Sequence, residues 1–118
     1  MQSGKGNIIL EKTFDFALMI IAYSELLDDH KKFQLSKQVI RAGTSIGANV
    51  REAQNAESKA DFIHKMKIAA KEADETEYWL LLCKVSDKYP FDEELLEKLK
   101  EISMVLSKII GTTKRKST

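Results

Sequence analysis

Apolar residues recur along this 118-residue chain alternately three and four positions apart, the spacing that gathers them on one face of an α-helix. Four such segments follow one another. The first, about Ile8 to His30, carries two adjacent stripes: Leu10, Phe14, Ala17 and Ile21 beside Ile9, Phe16, Ile20, Tyr23 and Leu27. Two adjoining stripes predict a wide buried face. The second, about Lys37 to Ala56, stands behind Ser36 as N-cap and turns Val39, Gly43, Ile46, Val50 and Ala53 inward. The third opens at Ser58, with Asp61 three residues on in place of the Glu or Gln of a capping box. Its stripe is Phe62, Met66, Ala69, Ala73, Thr76, Leu80 and Cys83. After the Tyr89-Pro90 break the fourth begins near Asp92, where Asp92, Glu93 and Glu94 complement the positive end of the helix dipole. Leu95, Leu99, Ile102, Leu106 and Ile109 form its stripe, and Gly111 suits its C-terminal cap.

Short connections, around 33–35, at Glu57 and around 88–91, force neighbouring helices to run antiparallel. The expected fold is all-α, an up-down-up-down four-helix bundle. One domain is expected, with a core over about 8–111 and mobile ends at 1–7 and 112–118. Five Gly and a single Pro supply too few turn signals for a sandwich or a barrel.

The second helix departs from a generic bundle. Gly43 and Gly47 each cost about 1 kcal/mol relative to Ala in a helix interior. Beside the apolar stripe runs another of Ala42, Ser45, Asn49, Glu52 and Ala56, where a solvated face would carry Lys and Glu. That stripe predicts close approach to another helix. The third helix offers Ile68, Glu72, Glu75, Trp79 and Leu82 as its counterpart, and antiparallel pairing about Glu57 brings Arg41 level with Asp74 and Glu75. A pair of Arg41 with Glu72 or Glu75 is expected. Arg41, Ser45, Asn49, Glu52, Glu72 and Glu75 then read as a buried polar or interface network that fixes register or an oligomer contact.

These residues carry a resemblance. Leu35-Ser36-Lys37-Gln38, the run from Arg41 through Gly43-Thr44-Ser45-Ile46-Gly47-Ala48-Asn49-Val50 to Ala53, the segment Ser58-Lys59-Ala60-Asp61-Phe62, and the run from Ala69 through Glu72, Glu75 and Trp79 to Leu80 resemble a bacterial family. It is the four-helix-bundle family encoded in intervening sequences of large-subunit ribosomal RNA genes. Many members have Pro where Gly47 stands and Gly where Ala53 stands. The resemblance implies a homo-oligomer, a homopentameric barrel. It also points to a relative, the accessory variability protein of diversity-generating retroelements, which binds nucleic acid and a reverse transcriptase.

Other chemistry fares less well. Gly43-Thr44-Ser45-Ile46-Gly47 spells the G-x-S-x-G nucleophile elbow, but that motif needs a preceding strand and a later acid and His. Asp61 and His64 have the i, i+3 spacing of carboxylate-bridged metal bundles, which use two Glu-x-x-His motifs and two further carboxylates. Here the pattern occurs once, with Asp. Cys83 falls on the apolar stripe and reads as a small buried hydrophobe. Tyr78 and Trp79 could stack on bases, although Trp at such a position is favoured in cores and subunit interfaces. No catalytic residue, cofactor, metal ligand or small-molecule substrate is expected.

Apolar residues make up 43% and charged residues 31% of the chain, a soluble globular mixture. The net charge is +1, and Lys114, Arg115 and Lys116 supply three of the 19 cations. Without them acids outnumber bases, so overall charge gives no nucleic-acid signal. Distribution does. The end holding the starts of the first and third helices and the ends of the second and fourth collects Lys5, Lys12, Arg51, Lys59, Lys65, Lys67, Lys108, Lys114, Arg115 and Lys116. Five acids, Glu11, Asp15, Glu52, Glu57 and Asp61, oppose these ten cations. Repeated around an oligomer, this pole would form a basic face for RNA or DNA, with Arg51, Lys59, Lys65, Lys67, Lys108, Lys114, Arg115 and Lys116 as its contacts. The competing reading is a structural or protein-adaptor module whose charges complement helix ends. Cys83 is a single cysteine and fits a reducing cytoplasm. The apolar run Phe16 to Ser24, fenced by Asp15 and Glu25, falls short of the ~20 residues of a membrane helix, and Glu11 and Asp15 argue against a signal peptide.

Overall fold

The computed structural model describes residues 7–116. Four helices, α1 (Ile8–Asp29), α2 (Phe33–Ala53), α3 (Lys59–Val85) and α4 (Glu93–Arg115), form a four-helix bundle measuring 51 × 24 × 20 Å. Each of α1 and α3 packs on both α2 and α4, while α1 and α3 occupy diagonal corners. Successive helices are antiparallel. Thr13 faces Gly47, Ile20 faces Gly43 and Ser24 meets Ser36 across α1 and α2. Lys84 pairs with Glu93 at one end of α3 and α4, and Lys59 reaches Lys116 at the other. No helix among the described residues is long and apolar enough to cross a membrane.

The core is built from the helical stripes. Phe16, Ile20, Leu27, Ile46, Met66, Leu80, Leu99 and Leu106 are fully buried, each contributing about 1.5–3 kcal/mol relative to exposure. On α1 the second stripe is the buried one. Of the first stripe Leu10 is buried, but Phe14 and Ile21 face outward and Thr13 takes the inward place. The reason lies in α2. A Cβ on Gly43 would stand 2.8 Å from both Cγ1 and Cγ2 of Ile20, so the missing side chain lets α2 close directly onto the Ile9–Phe16–Ile20 line. Phe14 is left outside.

Helix ends correct several expectations. The first turn lies at 30–32, because Lys31 adopts a left-handed φ of 61°. The Lys32 and Lys31 amides then donate to the Leu27 and Asp28 carbonyls, both at 2.8 Å, in the Schellman arrangement. Consequently α2 starts at Phe33, and residues 33–35 are helical rather than a connection. Ser36 is no cap. Its hydroxyl is buried against Ser24, with the oxygens 2.6 Å apart. The helix ends at Ala53, not Ala56. Ser58 does cap α3, accepting from the Asp61 amide at 3.0 Å, while the Asp61 carboxylate reaches back to the Glu57 amide at 3.1 Å. Asp92 caps α4 through the Glu94 amide. That helix runs through Gly111 to Arg115, so Gly111 is not its cap and 112–115 continue the helix. Asn7 is buried at the entry to α1 and Lys116 directly follows α4, while 1–6 and 117–118 of the two expected mobile ends lie outside the described residues.

Candidate functional site

The continuation of α4 builds the basic end. It carries Lys114 across to α3, where it stands near Lys67. The neighbouring Lys114 ammonium holds that of Lys67 below the usual lysine range. Lys59 at the start of α3 donates to the Lys116 carbonyl, tying down the end of α4. Arg115 folds back along its helix, its guanidinium beside Gly111 and Thr112. Arg51 is exposed at the end of α2, and Lys108 is exposed on α4. Among the described residues Lys59, Lys67, Lys108 and Lys114 have no carboxylate partner. Lys65 differs, since Asp61 neutralises it at 3.3 Å. Lys12 pairs with Glu101 at 3.1 Å and Lys5 lies outside the described residues. The end therefore gathers cations on α2, α3 and α4, with Lys67 and Lys114 near each other.

The polar residues between α2 and α3 divide into two groups. Arg41 bonds Glu75, lies 3.6 Å from Glu72 and donates to Gln38. The Trp79 indole donates to the same Glu75 carboxylate at 3.0 Å. The indole bond first, and Arg41 second, hold Glu75 below the usual carboxylate range. Ser45 and Asn49 instead bond their own helix, to the Arg41 and Ser45 carbonyls. Glu52 is exposed. Hence the six residues are not one buried network. The Arg41 side chain is 48% exposed and that of Glu75 36% exposed, placing the ion pair at the bundle surface.

Gly43 to Gly47 lies in mid-helix, without the strand a nucleophile elbow requires. Asp61 serves the α3 N-terminus, His64 is exposed, and among the described residues no three His, Cys, Asp or Glu side chains gather to hold a metal. Cys83 is buried, and burial pushes its thiol up. Tyr23 beside it donates to the Pro90 carbonyl at 2.8 Å, and burial likewise raises its hydroxyl. Tyr78 is exposed and meets the Trp79 ring edge-on, with centroids 5.2 Å apart. Sequence reasoning missed the Ser24–Ser36 contact, the part of Gln38 and the Trp79–Glu75 bond. The first had a signal, since Ser24 continues the inward line Thr13, Ile20, Leu27.

Residues 5–111 match the family described as 23S rRNA-intervening sequence protein. A crystal structure at 1.70 Å of a protein with unknown function from the S23 ribosomal protein family of Bacteroides thetaiotaomicron VPI-5482 is similar, with a TM-score of 0.79 and 45% identity. The similarity covers 87% of this chain and 98% of that one. No curated protein matches.

Proposed function

The chain belongs to the 23S rRNA-intervening sequence protein family, and on that premise we propose that it is a non-enzymatic, cytoplasmic homo-oligomer that binds nucleic acid through the basic end of its bundle. The homopentamer implied by the family resemblance is the assembly proposed. The observation that carries the reading is Lys114 brought near Lys67 at the end where Lys59 reaches Lys116, none of the three lysines having a carboxylate partner among the described residues. Like charges held together repel, and a phosphate placed between them relieves that repulsion. Each neutralised phosphate also releases condensed counterions. One protomer offers few such cations, and repetition around an oligomer multiplies them. The family's name, which ties its members to ribosomal RNA intervening sequences, agrees with this class of partner.

Anisotropy of labelled RNA and DNA against salt concentration tests the proposal. Affinity is expected to fall steeply as salt rises, with little sequence preference. Lys67→Glu with Lys114→Glu should abolish binding at moderate salt and reduce the logarithmic salt slope by about 2 per engaged protomer, while the helical circular dichroism stays unchanged. Equal retention by wild type and variant overturns the proposal. The protein-adaptor reading then leads, favoured by the apolar side chains that α1 and α3 leave exposed.

A further inference from the structure

The lysines of this bundle differ in what stands beside them. Lys12, Lys65 and Lys84 pair with Glu101, Asp61 and Glu93. Lys32 lies over the Tyr89 ring, and Lys59 donates to the Lys116 carbonyl. Lys67 has other bases for neighbours instead. It is exposed on α3, with exposed His64 a turn before it and exposed Lys71 a turn after it on the same face. From α4, Lys114 is brought near it. The acids of this end are engaged or lie elsewhere. Asp61 is held by the Glu57 amide and Lys65, and Glu52 lies in the last turn of α2. Glu11 and Asp15 belong to α1, at the corner diagonal to α3. Asp74, the next acid along the Lys67 face, lies beyond Lys71.

Such surroundings change the chemistry of an amine. A carboxylate partner keeps a lysine charged, whereas a neighbouring cation favours the uncharged form, which has a lone pair to donate. The lowered basicity of Lys67 beside Lys114 agrees with this arrangement. The same cations attract anions, so an electrophile that carries its own phosphoryl group is drawn to the amine. An acyl phosphate joins both properties in one small molecule, because its reactive carbonyl is bonded directly to a phosphate oxygen.

We propose that Lys67 is an acylation site for small acyl phosphates, with Lys114 meeting the phosphate that departs, and that acylation switches off the basic end. The Lys67 Nζ lone pair attacks the carbonyl carbon and forms an amide bond. The carbon–oxygen bond to phosphate breaks, inorganic phosphate leaves with that electron pair, and the proton on nitrogen passes to water. The amide is neutral, so one of the clustered charges is removed. The switch rests on the nucleic-acid reading above, whereas the acylation does not.

The test incubates the full chain with acetyl phosphate at neutral pH and follows each lysine by mass spectrometry. Lys67 is expected to acetylate several-fold faster than Lys37, Lys88 and Lys98, which are exposed elsewhere on the bundle. Lys114→Arg keeps the charge and should keep that preference, whereas Lys114→Gln should remove it, with circular dichroism to verify that both variants fold. Lys67 reacting no faster than the other three, or a preference that survives Lys114→Gln or excess inorganic phosphate, overturns the site. For the switch, Lys67→Gln carries the neutral amide that acetylation leaves. It should bind labelled RNA several-fold more weakly than wild type at moderate salt, as should the acetylated chain. Undiminished binding by both overturns the switch alone. Wild type that binds no RNA overturns the nucleic-acid reading and the switch together, and the acetylation rates still decide the site.

Discussion

Gly43 and Gly47 occupy successive turns of one helix and answer to different neighbours. A methyl group on Gly43 would press within 2.8 Å of the branch carbons of Ile20, which is fully buried and has no room to retreat. Overpacking of this kind costs about 1–3 kcal/mol, and the better helix propensity of Ala returns about 1 kcal/mol. Gly43→Ala is therefore expected to lower the denaturation midpoint. Gly47→Ala meets Thr13 at 3.3 Å, a far smaller overlap, and should leave the midpoint nearly unchanged. Lys31 presents the opposite case. Its left-handed φ of 61° strains any residue with a Cβ, so Lys31→Gly should stabilise by up to about 1 kcal/mol in chemical denaturation. Glu75 supplies an electrostatic test. Because the Trp79 indole bond is the largest single cause of its lowered pKa, with Arg41 adding a bond and its charge, both Trp79→Phe and Arg41→Ala should raise the Glu75 titration midpoint in carboxyl-carbon NMR.

Helix identity and most inward stripes are legible because the 3.6-residue period persists through all four segments, the exception being Phe14 and Ile21 on α1, which face outward. Helix ends are less so. Lys31 takes the conformation usually given to Gly, so nothing in its side chain announced the turn, and Ser36 was assigned to a cap it does not form. The ion pair of Arg41 with Glu75 followed from antiparallel arithmetic about the α2–α3 turn, which needs no side-chain detail. The approach of Lys114 to Lys67 could not follow from it. Their approach exists only because α4 continues through Gly111, which reads as a stop signal but here lies in mid-helix, where a Cβ would stand 3.3 Å from the Arg115 guanidinium. The Ser24–Ser36 hydroxyl pair joins α1 to α2 at the opposite end. Removing one hydroxyl should cost about 1 kcal/mol, because its partner is left buried without its bond. Ser24→Ala with Ser36→Ala should cost less than the two single changes added together, a coupling that a double-mutant denaturation cycle measures.

Across the whole molecule, the carboxylates whose pKa is lowered and the buried hydroxyl and thiol whose pKa is raised respond to opposite extremes of pH. Asp61, Glu75 and Glu101 are all held below their ordinary carboxylate values, by the Glu57 amide, the Trp79 indole and Lys12 respectively. A carboxylate whose folded pKa is depressed adds stability above its unfolded value, and that stability is lost as pH falls through the folded value. Melting temperature should therefore fall progressively below the ordinary glutamate value of 4.5. Tyr23 and Cys83 work in the other direction, because burial raises both. Their contribution is intact below the unfolded values, 9.0 for the thiol and 10.0 for the hydroxyl, and is lost as pH rises beyond them, since the unfolded chain ionises while the folded chain resists. Tyr23 also anchors the α3–α4 connection through its bond to the Pro90 carbonyl. Tyr23→Phe should thus lower the melting temperature at neutral pH, by the loss of one buried hydrogen bond worth about 1 kcal/mol, yet narrow its gap to wild type above pH 10. Melting curves of both proteins from neutral pH into that range check this, and a gap that stays constant would remove Tyr23 from the alkaline limb.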